Sequence, residues 1–269
     1  MKIEAVIVSK GYGDFLAHTL PDNLNHLDDV VVVTSHDDVE TQKVCARLSV
    51  DCLRTDCFTE GGDAFNKGRA INMGLAALRK RDWLLHIDAD ILLPHRYREM
   101  LEKAHLDPKN IYGCDRVNIY GFENYMALKP KLVPHHSDKW FVDPGFCHHK
   151  DLPAGTRLGA RVVHMEHGFV PIGFHQLWHA SQGRQYNYKL GAAAGADVLF
   201  PAQWPRRNRV LLPEVVVYHL DSEPIHGIGT NWKGRKSRPF GPSCECHKKH
   251  KHGHHCHCHC HHKHPHYCP

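Results

Sequence analysis

An apolar run that ends in two acids, DWLLHIDADILLP at residues 82–94, constrains the fold of this chain more than any other stretch. Its uninterrupted hydrophobicity is typical of a parallel strand that helices cover on both faces. Asp88 and Asp90 follow where the strand should end, and ligands bind at that edge in open α/β sheets. Two carboxylates this close favour a hard cation, Mg²⁺ or Mn²⁺. The alternative is that both acids only solvate a turn and cap the next helix.

The segments on either side alternate between strand and helix patterns. Strands are predicted at residues 3–8, 30–33, 50–54, 111–119, 161–165 and 215–218, and a helix near residues 95–104. Residues 168–180, with glycine and aromatic residues, are predicted to lead into a short helix, and the connection 129–153 to form a lid or acceptor loop. This alternation predicts an α/β fold with a mostly parallel central sheet. The first turn, SKGYGD, matches neither G-x-G-x-x-G nor a P-loop, so it supports no dinucleotide or P-loop site.

A second polar group precedes the acidic strand, in the segment FNKGRAINMGL at residues 65–75. Ile71, Leu75 and Leu78 would share one helix face and pack on the sheet. Four polar residues lie mostly at the helix start, where free backbone N–H groups and cationic side chains favour an anionic ligand. These residues are Asn66, Lys67, Arg69 and Asn72. The alternative is an ordinary solvated helix face.

Charge and cysteine content divide the chain after Trp232. From Lys233 onward there are eight Lys/Arg and one Asp/Glu, a balance of +7 within a formal net charge of +5, so residues 1–232 carry −2. Five cysteines are scattered through residues 1–232, which argues against a secreted disulfide scaffold. A basic nucleic-acid patch on the body is not evident from these counts. No apolar run reaches transmembrane length, and residues 3–8 are interpreted as a first strand of a cytoplasmic protein.

The last 26 residues, CECHKKHKHGHHCHCHCHHKHPHYCP, contain eleven histidines and six cysteines. A segment with so little apolar surface cannot form a core. Residues 233–269 are therefore predicted to be a disordered His/Cys-rich tail that follows a single domain at residues 1–232. Imidazole and thiolate at this density predict affinity for Zn²⁺ or Ni²⁺, although the spacing matches no zinc module. A tail without function is an equally weighted alternative.

The order of these segments resembles the GT-A glycosyltransferases, in particular family-2-like and galactosyltransferase-like members, over roughly residues 1–222. The specific part is FNKGRAIN followed by the D-x-D of LLHIDADILLP, and GFHQLW, GADVLF and VVVYHL follow later. The resemblance implies a Rossmann-like GT-A sandwich. It also implies a metal-dependent, inverting transfer of a sugar from a nucleotide-diphosphate donor to an acceptor hydroxyl, with a UDP-sugar as the first candidate donor. One difference is that GAAAGADVLF has Asp197 as its only acid, where the galactosyltransferase-like members have a segment rich in tryptophan and acids.

The resemblance also implies roles for individual residues. Val8, Ser9 and Asp38 would lie near the uridine, and Asn66, Lys67, Arg69 and Asn72 would line the donor. Asp88 and Asp90 would hold Mn²⁺ or Mg²⁺ on the diphosphate, with His219, at the end of the 215–218 strand, as third ligand. Asp197 is assigned as general base, because the base must differ from the metal-binding acids; the alternative is that it caps a turn.

Two other functions are compatible with the sequence. A nucleotidyltransferase would use a related sheet and an acidic metal site, but it needs a glycine-rich phosphate loop that GYGD matches poorly. A metal-sequestering protein would act through its tail. The acceptor is left open among glycan, lipid-linked glycan, small molecule, protein and hydroxymethylated DNA base; the lack of a membrane segment disfavours the lipid, and the basic tail slightly favours nucleic acid.

Overall fold

The computed structural model describes residues 1–129, 152, 154–159, 161–164, 168–193, 195–222, 234–235 and 237–242, without the side chains of His164 and Asp197. Nearly all of the predicted 129–153 connection and the His/Cys-rich stretch from Cys244 lie outside the described residues. None of the described helices is long and apolar enough to cross a membrane.

A nine-stranded sheet organises the described residues, in the order β3-β2-β1-β4-β10-β6-β11-β5, with β7 beside β6. Its strands are β1 (Ile3–Val8), β2 (Asp29–Thr34), β3 (Asp51–Arg54), β4 (Trp83–Asp88), β5 (Ile91–Leu92), β6 (Ile111–Tyr120), β7 (Thr156–Leu158), β10 (His175–His179) and β11 (Arg209–Asp221). Strands β1 to β4 pair in parallel, as do β6 and β11, whereas β10 runs antiparallel to both β4 and β6. A separate hairpin joins β8 (Val163–His164) to β9 (Gly168–Phe169). The predicted α/β class with a mostly parallel sheet is confirmed.

Among the residues that the structure describes, six α-helices accompany the sheet: α1 (Gly13–Asn23), α2 (Val39–Leu48), α3 (Lys67–Ala77), α4 (Tyr97–Lys103), α5 (Phe122–Leu128) and α6 (Ala196–Leu199). They cover apolar strands that are almost entirely buried, as in β1, where all six residues are buried. Asp38 caps α2 by accepting a hydrogen bond from the Thr41 N–H at 3.1 Å.

Helix α3 packs unusually closely on the sheet. Ile71, Leu75 and Leu78 are buried, which confirms the predicted apolar face. On the same side, a Cβ atom added at Gly74 would lie 2.6 Å from a methyl carbon of Val6 and 2.8 Å from one of Val33. The glycine therefore lets the helix axis approach β1 and β2 more closely than a side chain would allow.

The prediction that residues 168–180 lead into a short helix is wrong for most of that segment. His175–His179 forms strand β10, paired with β4 from His175↔Ile87 to His179↔Trp83, and only residues 180–182 turn into a single 3₁₀ turn. The segment becomes a strand because it fills the gap between β4 and β6, where its backbone groups find ladder partners on both sides. Long-range pairing of this kind overrides a local pattern.

The described residues beyond 233 pack against α1. The Arg235 guanidinium binds the Asp14 carboxylate at 2.5 and 2.8 Å and lies 5.0 Å from the centroid of the Tyr12 ring. Phe240 is fully buried and stacks on Phe15 with ring centroids 4.5 Å apart. The domain boundary after Trp232 stays a prediction, and this packing shows that residues beyond it contribute a core side chain.

Candidate active site

A polar cleft of about 560 Å³ lies at the carboxyl edge of the sheet, beside the ends of β1 and β4. Its lining comprises Val8, Lys10, Tyr12, Phe65, Lys67, Asp88, Ala89, Asp90, Arg116, Ile172, Gly173, Phe174, Ala193, Gly195, Val198 and His219. The structure thus brings together four of the predicted site residues that carry charge or can gain it: Lys67, Asp88, Asp90 and His219. They come from the start of α3, from the end of β4 and the turn after it, and from β11. Parallel strands end, and the helices that follow them begin, at the same edge of the sheet.

Asp88, the last residue of β4, is bound by the first residue of α3. The Lys67 ammonium lies 2.7 Å from Asp88 Oδ1, and the Lys67 side chain is only 8% exposed. His86 lies beneath the carboxylate, with Nε2 at 3.7 Å. Burial raises the pKa of Asp88, the neighbouring Asp90 raises it further, and Lys67 opposes both. The helix start and the strand end are therefore joined by a partly buried ion pair.

Asp90 is bound from the other side of the cleft. His219 Nε2 lies 3.3 Å from Asp90 Oδ2, and the second ring nitrogen lies 3.2 Å from Asn118 Oδ1. Burial alone would raise the pKa of Asp90, but the charge and hydrogen bond of His219 lower it overall. The same contact raises the pKa of His219 against the effect of burial. The pair is thus favoured in its charged form.

The second oxygen of Asp90 is the feature that bears on a metal. Oδ1 is buried and makes no hydrogen bond, and an unpaired buried carboxylate oxygen is costly unless a cation or donor reaches it. Within the described residues no group of three or more His, Cys, Asp and Glu side chains is arranged to hold a metal ion. Two adjacent carboxylates, one with an unused oxygen, nevertheless suit Mg²⁺ or Mn²⁺, which complete their shells with water and phosphate oxygens. His219 would have to release a ring nitrogen to act as a third ligand.

The residues predicted near the nucleoside lie next to this cleft. Val8 lines it, whereas Ser9 is buried and its hydroxyl contacts the Thr41 hydroxyl at 2.8 Å. Asp38 accepts the Gly11 N–H at 2.7 Å and so fixes the turn between β1 and α1. A second hollow of about 480 Å³, lined by Asp38, Ser35 and Lys10 among others, continues the cleft over the end of β2. This hollow is large enough for a nucleoside.

Three predicted donor-binding residues do not line the cleft. Asn66 caps α3 through the Arg69 N–H at 2.9 Å and also binds Asp63 and the Tyr188 carbonyl. The Arg69 guanidinium binds Glu60 at 3.0 Å. Asn72 clamps the Tyr186 backbone, donating to its carbonyl and accepting from its N–H, both at 2.8 Å. These contacts hold residues 186–188 against α3, and a donor-binding role for the three side chains stays a prediction.

Asp197 belongs to α6. Val198 of the same helix and Gly195, which precedes the helix, line the cleft. The Asp197 side chain lies outside the described part of the structure. Its assignment as general base therefore stays a prediction, placed on an element that borders the cleft.

Sequence reasoning missed the cationic and aromatic residues Lys10, Tyr12 and Arg116. Burial, and then the charge of Asp90, raise the pKa of Tyr12 far above its usual value, so its hydroxyl stays protonated. Arg116 lies 4.6 Å from the centroid of the Phe174 ring. A signal for Arg116 was present, since DR interrupts the otherwise apolar strand at residues 111–119.

No protein-family model matches the chain, and no curated protein matches it. Among solved structures it is similar to glucosyl-3-phosphoglycerate synthase from Mycobacterium tuberculosis in complex with Mn²⁺ and uridine-diphosphate-glucose, with a TM-score of 0.44, 13% identity, and coverage of 81% of this chain and 69% of that one.

Two further similarities are weaker. Mannosyl-3-phosphoglycerate synthase from Rubrobacter xylanophilus gives a TM-score of 0.36 at 22% identity and covers 43% of this chain, which spans only 41% of that protein. A 4-diphosphocytidyl-2C-methyl-D-erythritol synthase from Anaerococcus prevotii gives 0.35 at 11% identity over 67% of this chain and 72% of that one. Likenesses at this level carry no functional argument, because one fold hosts many reactions.

Proposed function

We propose that this protein is a metal-dependent glycosyltransferase that moves a sugar from a nucleotide-diphosphate donor to an acceptor hydroxyl. A UDP-sugar is the first candidate donor. The observation that carries the proposal is the pair of carboxylates at the end of β4, each bound by one basic side chain, with one buried oxygen of Asp90 left without a hydrogen bond. A nucleotide-diphosphate donor brings a cation to such a pair and phosphate oxygens to complete the shell.

The proposed donor lies along the edge of the sheet. The nucleoside occupies the hollow over β1 and β2, near Val8, Ser9 and Asp38, and the diphosphate lies toward Asp88. Asp88 and Asp90, with His219, would hold Mn²⁺ or Mg²⁺, which neutralises charge on the leaving diphosphate. Lys67 fixes the Asp88 carboxylate and places a second cation at the same point.

The acceptor side of the reaction requires a base. In an inverting transfer a carboxylate takes the proton of the attacking hydroxyl, and this group cannot be one that is engaged with the cation. Asp197 is proposed for this role because α6 borders the cleft. A cytoplasmic location and the identity of the acceptor, nucleic acid included, stay predictions.

The decisive experiment measures diphosphate release from a panel of nucleotide sugars by the purified full-length chain with MnCl₂. UDP-glucose is the first donor to test, since the M. tuberculosis protein binds it together with Mn²⁺. We expect turnover with at least one UDP-sugar that stops in excess EDTA and returns when Mn²⁺ is restored. Absence of binding and turnover across the panel would refute the proposal.

A further inference from the structure

Two residues of the C-terminal segment line the hollow over the end of β2, in which the nucleoside is proposed to lie. Gly234 and Arg235 border this hollow together with Lys10, Gly11 and residues of α2. Arg235 is 224 positions away from Gly11 in the sequence. The domain boundary predicted after Trp232 would assign both C-terminal residues to the tail. One wall of the hollow is nevertheless built from them.

The Arg235 guanidinium holds the turn between β1 and α1. Its Nη1 donates to the Gly11 carbonyl at 2.6 Å and to Asp14 Oδ1 at 2.5 Å, and its Nη2 donates to Asp14 Oδ2 at 2.8 Å. The side chains of Arg235 and Asp14 are only 16% and 6% exposed, so water competes little for this bidentate pair. Asp38 binds the N–H of the same glycine at 2.7 Å. Both backbone polar groups of Gly11 are therefore held.

The turn depends on such contacts because of its composition. The segment SKGYGD contains two glycines, and the backbone at Gly11 has a φ of 69°. Glycine adopts this conformation without strain, but it also gives the chain the most freedom to leave it. Lys10 and Tyr12, on either side of Gly11, line the cleft, and Lys10 lines the hollow as well. The positions of these side chains around a nucleotide thus depend on the contacts that fix Gly11.

The segment that supplies Arg235 is itself anchored outside the hollow. The Ser222 hydroxyl, next to the end of β11, donates to the Arg238 carbonyl at 2.6 Å, and this carbonyl also accepts from Arg235 Nη2 at 2.6 Å. The N–H of the buried Phe240 donates to Asp14 Oδ2 at 2.6 Å. The fold therefore places the guanidinium against the turn before any ligand arrives.

From these contacts we infer that Arg235 is a positioning residue for the donor nucleotide. It holds the Gly11 turn in the conformation that binds the nucleotide, so the segment that carries Arg235 belongs functionally to the donor site. The inference rests on the proposed function, because it takes the hollow to hold the nucleoside. The guanidinium is engaged with protein oxygens, from Ser237 as well as from Gly11, Asp14 and Arg238, so it acts through the turn.

The test measures the affinity of the full-length protein for UDP in MgCl₂ by isothermal titration calorimetry. Arg235→Gln should weaken UDP about tenfold or more, because the apparent affinity falls with the fraction of molecules whose turn is in place. Arg98→Gln is the matched control. Arg98 also binds a carboxylate, that of Asp28, and a backbone carbonyl, that of Met1, but it does not line the hollow. Its UDP affinity should stay within about twofold of the wild type.

Two more variants and a kinetic measurement separate positioning from a loss of stability. Arg235→Lys keeps the charge and one contact, so it should regain part of the UDP affinity. Adding Asp14→Asn to Arg235→Gln should weaken UDP no further, because both changes remove the same contact. With a donor that is turned over, KM should rise in Arg235→Gln while kcat stays within about twofold, since saturating donor restores the turn.

Hydrogen exchange of the wild type decides the matter if Arg235→Gln does not fold. UDP should slow exchange of the Phe240 amide, which is bound to Asp14, more than it slows exchange of the amides of α4. Equal slowing of the two would overturn the inference.

Three results with folded variants would also overturn it. One is equal UDP affinity in the wild type and Arg235→Gln. Another is an equal loss in Arg98→Gln, which would trace the effect to general stability. The third is a lower kcat at an unchanged KM. Failure of the wild-type protein to bind UDP is a different outcome, which refutes the proposed function itself.

Discussion

Asp88 and Asp90 are the residues on which the proposed chemistry depends most directly. Replacing either by Asn keeps the shape but removes the charge that a cation requires, so we expect donor turnover to fall about 10³-fold, equivalent to several kcal/mol of lost charge stabilisation. Steady-state kinetics with Mn²⁺, beside thermal melts, check this expectation. Asp29→Asn is the control, because Asp29 is the first residue of β2 and therefore lies at the edge of the sheet opposite to the cleft. Undiminished turnover by either variant, or by the wild type in EDTA, would contradict the metal site.

Asp197 tests the assignment of the base. Asp197→Asn can still accept a hydrogen bond but cannot take a proton, so transfer should fall roughly 10²–10⁴-fold while donor affinity stays nearly constant. A variant that melts at the wild-type temperature and transfers at the wild-type rate would exclude the assignment. If Asp197 only caps a turn, the melting temperature falls and the folded protein keeps its activity.

His175 predicts how stability depends on pH. It is fully buried, its Nε2 lies 2.7 Å from the Tyr97 hydroxyl, and burial lowers its pKa to about 4. The unfolded chain binds a proton near pH 6.5 and the folded chain only near pH 4, so the free energy of unfolding decreases as pH falls between these values. The total loss from this group is about 3 kcal/mol.

Urea unfolding at pH 7.5 and pH 4.5 measures this loss. His175→Gln should show a smaller decrease than the wild type, because carboxylates and the other buried histidines titrate equally in both proteins. An identical decrease in the two proteins would show that His175 is not the group responsible.

At the same scale, the sequence located the two acids together with Lys67 and His219, but it did not locate Arg116. Asp88 and Asp90 were predictable because an apolar strand followed by acids has a local signature. Arg116 depends on Phe174 and Gly159, which are distant along the chain, so its place in the cleft follows only from the pairing of β6 with β10 and β7. The donor-binding roles assigned to Asn66 and Asn72 stay predictions, and the structure shows that both side chains also bind the segment 186–188.

Among the elements, the segment 237–242 makes the clearest testable contribution to stability. Phe240 is fully buried against Phe15 and Tyr125, so Phe240→Ala should lower the free energy of unfolding by about 3–5 kcal/mol. Pro239→Ala, at an exposed neighbouring position, is the control and should change it by less than about 1 kcal/mol. Equal stability of the Phe240 variant and the wild type, measured by urea unfolding, would show that this segment does not pack on α1 in solution.

Strand β10 shows where element prediction from local pattern fails. Strands β1, β2 and β4 have continuous apolar runs, and their predicted positions agree with the structure to within one or two residues. HQLWH has neither a long apolar run nor strict alternation, and it becomes a strand through antiparallel pairing with β4. No local feature of the sequence predicts that pairing.

For the whole molecule, the remaining question is the contribution of the His/Cys-rich stretch. A chain that ends at Pro242 keeps Phe240 and Arg235, so it should turn over donor at the wild-type rate and lose retention of Ni²⁺ or Zn²⁺. Turnover assays and metal analysis after dialysis measure both properties. Loss of donor turnover would place the stretch in the active site, whereas retained metal would place the soft-metal sites in the body.

A chain that ends at Trp232 is a different experiment, because it also removes the side chains that pack on α1. We expect it to melt at a lower temperature than the chain that ends at Pro242. Comparing the two lengths separates the role of the 234–242 segment from that of the residues after it.

The close contact at Gly74 has a consequence for how this protein can change over evolutionary time. The Lys67–Asp88 contact joins α3 to β4, and its length depends on how deeply the helix lies on the sheet, which the missing side chain at Gly74 permits. In a library that samples every position of α3, substitutions at Gly74 should therefore be depleted under selection for activity before its exposed positions are. Variants that tolerate a substitution at Gly74 should also carry a smaller residue in place of Val6 or Val33. The three positions should therefore covary.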